Sequence, residues 1–140
     1  MPEIYKFSSP NGVISPYVPV MFINPTNNKK FTVGALLDTG ADVCHIPKGL
    51  AVALGYDLDD PRIITRLVTG VEGTPVPMKE IVCDLHLMDA TGRKVIMKSK
   101  GVQVRVNPSD AVPAILGTTG FLENLQVAFN YKTKNIKIYT

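Results

Sequence analysis

What most restricts the fold of this chain is its punctuation: eleven glycines and eleven prolines are spread through 140 residues, leaving little uninterrupted sequence between them. Proline removes a backbone donor and glycine adds backbone entropy, so long helices are disfavoured and turns are frequent. Between the breaks, apolar residues alternate with polar ones or run in short β-branched blocks, the pattern of strands. Strands are expected over 13–23, 31–37, 62–68, 76–88, 94–98, 102–106 and 126–129, with two more at the ends, over 4–7 and 136–139. Asp89-Ala90-Thr91-Gly92 supplies the turn residues of a hairpin. Two stretches read as short helices: 48–54, rich in Ala and Leu and stopped by Gly55, and 119–125, with Thr118 or Thr119 as N-cap. The expected class is all-β.

A chain of 140 residues has room for one core, so 1–140 is expected to be a single domain. An apolar content of 45% fits a folded protein rather than a disordered one. The net charge of +3 is mild, the lysines are scattered and aromatics make up only 7%, which argues against a nucleic-acid interface. The start, Met1-Pro2-Glu3-Ile4-Tyr5-Lys6-Phe7, lacks a basic segment followed by an apolar run, so no signal peptide is expected. No stretch approaches the ~18 apolar residues of a membrane helix, and no membrane partner is expected. Two cysteines, Cys44 and Cys83, suit free buried thiols in a reducing compartment better than a disulfide framework, which makes a cytoplasmic location the expectation.

One short stretch carries chemistry. Ala35-Leu36-Leu37-Asp38-Thr39-Gly40-Ala41 is an apolar strand that delivers a carboxylate into a tight turn. Asp, Thr and Gly are all turn formers, so an ordinary turn after a strand would use the same residues. A carboxylate at the end of an apolar strand nevertheless loses hydration, and needs hydrogen bonds, a counter-charge or a shared proton. Sharing a proton takes a second carboxylate. The chain holds no second Asp-Thr-Gly and no Asp-Ser-Gly, so that carboxylate would come from another copy across a two-fold axis.

At an effective dielectric near 20, two unit charges about 3 Å apart repel by about 5 kcal/mol, so one carboxyl stays ionised while its mate keeps a proton. The ionised member can take a proton from water as general base, and the protonated member can donate to a substrate carbonyl as general acid. Gly40 would let the backbone approach the facing carboxylates, and the Thr39 hydroxyl could hold the two turns in register. The strand-like termini offer a route to such a pair: ends interleaved with those of a second copy would cover exposed edges and give a symmetric dimer.

Leu36-Leu37-Asp38-Thr39-Gly40-Ala41, followed much later by Ala114-Ile115-Leu116-Gly117, resembles the retropepsin-like aspartic peptidases, and their bacterial and cellular branch more than the retroviral enzymes. In that family the second motif threads beside the catalytic loop and precedes a short helix and closing strands, an order that Phe121 to Leu125 and Val127 to Tyr131 match. The resemblance, which covers roughly 31–140, implies a closed β-barrel or sandwich of short strands with one or two short helices, dimeric. It implies an aspartic endopeptidase with Asp38 as catalytic residue, supported by Thr39 and Gly40. The substrate is a peptide or protein, bound by Ala41, Asp42, Gly70, Val71 and Gly73, and no metal or cofactor is required. Thr69-Gly70-Val71-Glu72-Gly73-Thr74-Pro75 looks like the family's flap, a cover that closes over substrate and excludes water.

The chain also departs from the pattern. Retroviral members usually carry Arg and then Asn or Asp after the second-motif glycine, where this chain has Thr118 and Thr119, so Asp42 lacks the family's ionic partner. The proline-bearing segment 14–28 has no clear counterpart and is expected to cover a sheet edge. The pocket walls are expected from Ile46, the flap and residues 112–115, which suits peptides with bulky apolar side chains.

Two rivals stand beside the peptidase. Cys44, His45, Cys83 and His86 are possible metal ligands, but strand geometry points Cys83 and His86 to opposite faces and separates Cys44 from His45, so buried thiols and surface histidines are expected instead. The other rival is a non-catalytic peptide- or protein-binding domain of the same fold, because fold alone does not decide function. An intact Asp38-Thr39-Gly40 favours the enzyme, since a pure binder gains nothing from two facing carboxylates.

Overall fold

A computed structural model describes residues 1–10, 12–70 and 73–140. Its strands are β1 (Glu3–Lys6), β2 (Tyr17–Ile23), β3 (Lys30–Leu37), β4 (Cys44–Pro47), β5 (Ile64–Thr69), β6 (Pro75–Met88), β7 (Val95–Asn107), β8 (Ala114–Leu116), β9 (Gln126–Asn130) and β10 (Asn135–Tyr139). Helix α1 (Lys48–Ala53) follows β4, and a single 3-10 turn occupies Leu122–Asn124. Among the described residues no helix is long and apolar enough to cross a membrane.

Alternation explains the main sheet. Val18, Val20 and Phe22 of β2 are buried while Pro19 and Met21 are only partly so, and Cys44 and Ile46 of β4 alternate with His45 and Pro47 in the same way. Each strand thus presents one apolar face, and the sheet must curl to bury it. The order β2-β3-β8-β4-β7-β6-β5 closes because β2 also pairs with β6, Val20 opposite Leu87 and Phe22 opposite Leu85. The result is a closed barrel with β5 attached outside it, along β6. Two of its pairings are parallel, β3 with β8 and β4 with β7; the rest are antiparallel.

Several expectations are corrected here. The segment 14–28 covers no edge: its centre is β2, a barrel strand hydrogen-bonded on both sides. The two strands expected over 94–98 and 102–106 are one, β7, running through a bulge between the Cys83–Val102 and Leu85–Ser99 pairs. Gly101 makes that continuity possible, with φ of 66° and an N–H donated to Asp84 Oδ1 at 2.9 Å. The second helix shrinks to Leu122–Asn124, and neither Thr118 nor Thr119 caps it. Helix α1 stops as expected at Gly55, whose φ is 84°, and Asn24 and Asn27 donate side-chain hydrogen bonds to the Leu54 carbonyl.

The termini do not wait for a second copy. β1 pairs with β10 and β10 with β9, so both ends of one chain join the same three-stranded sheet. Tyr5, Ile136 and Ile138 bury this sheet's inner face against the barrel core. The Tyr5 hydroxyl donates to the Met88 carbonyl at 2.7 Å, tying the terminal sheet to the end of β6. Burial, with the nearby carboxylates of Glu3 and Asp89, pushes the Tyr5 phenol well above its usual range, so it stays a neutral donor. Replacing Tyr5 with Phe orphans the buried Met88 carbonyl; urea unfolding is expected to show a loss of about 1–2 kcal/mol.

Candidate functional site

Asp38 is the first residue past β3, and the neighbouring end of β8 fixes where it sits. Its N–H donates to the Leu116 carbonyl at 3.1 Å, extending the parallel β3–β8 pairing by one bond. Its carbonyl accepts the Ala41 N–H at 3.2 Å, and its Oδ1 accepts the Gly40 N–H at 2.9 Å, which closes the turn and aims the carboxylate. A Cβ on Gly40 would lie 3.3 Å from that same Oδ1, so the glycine keeps space beside the carboxylate. Asp38 is half-buried and Thr39 and Gly40 are exposed, more open in a single chain than an apolar strand end suggests.

The segment after β8 braces the other half of the turn. The N–H groups of Thr118 and Thr119 donate to the carbonyls of Ala41 and Asp42 at 2.9 and 2.8 Å. Here the two threonines brace the turn through their backbone N–H groups, where the retroviral pattern has an ionic contact. Among the described residues Asp42 makes no ion pair. Gly117 is pressed against the turn so closely that a Cβ would collide with the Val43 carbonyl and reach 2.8 Å from the Ala41 oxygen. Behind it, burial pushes the Cys44 thiol up to about 11, opposed by a hydrogen bond from the Gly117 backbone. Cys83 is likewise raised to about 11 by burial. Both are free core thiols, inert at neutral pH.

Asp38 opens onto a cleft of about 570 Å³. Gly40, Ala41, Asp42 and Val43 line it from the turn; Leu67, Val68, Thr69, Gly70, Val76 and Met78 line it from the β5–β6 arm; His45, Arg105, Asn107 and Ile115 come from β4, β7 and β8. Of the residues expected to bind substrate, Ala41, Asp42 and Gly70 therefore lie on the cleft. Gly73, with φ of 78°, is not among the lining residues but donates its N–H to the Gly70 carbonyl at 3.0 Å, and Val71 lies outside the described residues. Ile46 does not form a wall: it is fully buried in the barrel core, and Val112 and Ala114 line a separate groove with Pro10 and Tyr17.

Three polar residues in the cleft escaped the sequence reading. His45, expected on the surface, is half-buried; its imidazole is pushed down by desolvation and then by Arg105, with Asp38 pulling the other way, so it is neutral at pH 7. Arg105 donates from Nε to Glu80 at 3.0 Å. Asn107 uses its side-chain oxygen to accept the Ser109 N–H at 2.9 Å. Among the described residues no three His, Cys, Asp or Glu side chains gather where they could hold a metal.

The contact between Gly117 and the Asp38 turn predicts a sharp contrast. Gly117→Ala is expected to lower stability by about 3 kcal/mol or more, because backbone on both sides cannot yield. Gly70→Ala, where a Cβ meets nothing within 4 Å, should leave the urea midpoint nearly unchanged.

No protein-family model matches the sequence, nor does any curated protein sequence. Solved structures do match. A retropepsin-like aspartic protease from Rickettsia conorii superposes with a TM-score of 0.65 at 19% identity, over 99% of this chain and 89% of its own. The EIAV protease, solved in complex with the inhibitor HBY-793, superposes with a TM-score of 0.50 at 22% identity, over 81% of this chain and 91% of its own. These superpositions show a retropepsin-like fold.

Proposed function

We propose that the protein is a homodimeric aspartic endopeptidase whose active site forms where Asp38 of one copy meets Asp38 of a second. The observation that carries this reading is the placement of one carboxylate, oriented by the Gly40 N–H, on the lining of a cleft of about 570 Å³ in a fold shared with aspartic proteases. One carboxylate per chain is half of the required machinery, and a two-fold axis supplies the other half. The exposure of Thr39 and Gly40 in the single chain fits a surface that a second copy covers. β1 and β10 pair within one chain, and the proposed contact centres on the Asp38 turns.

In this mechanism the ionised Asp38 takes a proton from a water held between the two carboxyls, and the water oxygen attacks the peptide carbonyl carbon. The protonated mate donates to the carbonyl oxygen. The tetrahedral intermediate then breaks its C–N bond as a proton passes to the leaving amine, leaving acid and amine products and the same single shared proton. Thr39 would bond across the axis, and Ala41, Asp42 and Gly70 would hold the substrate backbone. The β5–β6 arm, with Gly73 in its turn, is assigned the role of flap, and Val71 of the same sequence stretch is assigned to substrate binding with it. Its apolar residues support that assignment: Leu67 is 72% exposed, and both Leu67 and Val76 line the cleft, so an enclosed peptide gives them something to pack against.

Asp38→Asn tests the core of the proposal. Peptide cleavage is expected to fall by at least about a thousandfold, within the range that acid–base groups contribute, while sedimentation shows the dimer retained. Cleavage surviving this change would overturn the mechanism; a chain that folds and dimerises but cuts no peptide from a diverse mixture would favour the binding domain.

The shared proton sets the pH dependence. One carboxyl must be ionised and its mate protonated, so kcat/KM is expected to rise and then fall across the acidic to weakly acidic range. A profile that stays flat into alkaline pH would be incompatible with a carboxyl acting as the acid.

A further inference from the structure

Starting in the cleft, the strand register sets one residue from each of five strands in a row. Ile115 of β8 stands opposite His45 of β4, His45 opposite Arg105 of β7, Arg105 opposite Glu80 of β6, and Glu80 opposite Ile64 of β5. Directly paired residues share a face of the sheet. Cys44, Ile46, Val104 and Val106, which flank the row, are all buried in the core, so the row itself faces outward. Ile115, His45 and Arg105 line the same cleft as Asp38, while Glu80 and Ile64 line a separate pocket.

Within the row Arg105 and Glu80 balance, but Arg66, two residues along β5 from Ile64, adds a second cation. The Glu80 carboxylate accepts Arg105 Nε at 3.0 Å and lies 3.8 Å from Arg66 Nε, so two guanidiniums share one acid. Among the described residues Glu80 is the one protein partner of Arg105, and it engages Nε alone. A guanidinium carries five N–H donors, so its terminal amino groups are left to meet a ligand. The Arg105 side chain is only 19% exposed, held by Glu80 and by the strand on each side, so little motion is lost when it binds. Asn107 adds to the donor set: its oxygen is occupied by Ser109, which leaves its amide N–H groups. A neutral His45 supplies one N–H more.

An array of donors around a held guanidinium suits one ligand chemistry, a carboxylate taken by a charge-assisted, bidentate contact. Asp38 and Asp42 line the same cleft, Asp38 near enough to act on His45, and would repel the same group, which directs it toward Arg105 and Asn107. We infer that His45, Arg105 and Asn107 form a carboxylate-reading subsite, so that the preferred peptide carries an acidic group close to the bond cut. This rests on the peptidase reading for its position relative to the scissile bond, but not for the binding itself. The carboxylate belongs either to an Asp or Glu side chain or to the free C-terminus of a short peptide.

Binding to the Asp38→Asn protein separates the two claims, since nothing is cut. Peptides matched except for Glu against Gln, or Asp against Asn, at each successive position, and with C-termini free or amidated, are titrated by fluorescence anisotropy. At least about tenfold tighter binding of the acidic member at one position is expected, the scale of a hydrogen bond to a charged group. Preference confined to free C-termini would assign the carboxylate to the chain end. The double variant Glu80→Gln with Arg105→Gln keeps an amide contact in place of the ion pair and should abolish the preference. If that variant does not fold, Arg105→Lys, which keeps the charge but loses the planar fork, should reduce it severalfold. Equal affinity for acid and amide at every position, or no binding of any peptide, overturns the subsite. Failure of the wild-type protein to cut acidic peptides that bind tightly would instead overturn the peptidase reading alone.

Discussion

The structure depends on one crossing: the end of β8 running beside the turn that follows β3. Three backbone hydrogen bonds join them, from Asp38 to Leu116, from Thr118 to Ala41 and from Thr119 to Asp42, and Gly117 lies between them where no side chain fits. Such a contact is rigid because every partner is main chain, with no rotamer to relax. It also links two segments more than seventy residues apart, so the position of the carboxylate draws on β3, β4, β7 and β8 together. Order at Asp38 is therefore a property of the whole barrel.

That crossing shows why a short motif was so informative. Leu36-Leu37-Asp38-Thr39-Gly40 and Ile115-Leu116-Gly117 each read as a strand running into a glycine, and each glycine sits where a Cβ would crowd its surroundings. Local requirements of this kind leave a mark at fixed positions in the sequence. The same holds for Asp89 to Gly92, where the Asp89 N–H meets the Lys94 carbonyl at 2.8 Å and Gly92 takes a φ of 75°. Strand character and the stop at Gly55 were legible for the same reason.

What could not be read was pairing. Whether β1 finds β10 of its own chain or of a second depends on loop path and packing, not on the residues of either strand. The polar side of the cleft was missed for a related reason. His45 in isolation looks like a surface histidine next to a cysteine, and Arg105 like a solvated charge in an alternating strand. Only the parallel register of β4 and β7 makes them neighbours, and only the antiparallel register of β7 and β6 gives Arg105 its carboxylate. Parallel pairing joins strands distant in sequence, so alternation tells which face a residue takes but not which residue it meets.

The Arg105–Glu80 pair also bears on why a cleft should carry charge at all. Burying an ion pair is weakly stabilising at best, and apolar residues of similar size would hold the sheet at least as well. Glu80 has a side chain only 9% exposed, so its desolvation is offset mainly by Arg105, with Arg66 more distant and half-exposed. Stability of the barrel does not call for this arrangement, since Cys44, Ile46, Val104 and Val106 already fill the core side of the same strands. On the outer side the pair fixes a guanidinium at a set place in the cleft, with donors left over. On the carboxylate-reading inference, this charge is held in place for what enters the cleft rather than for packing.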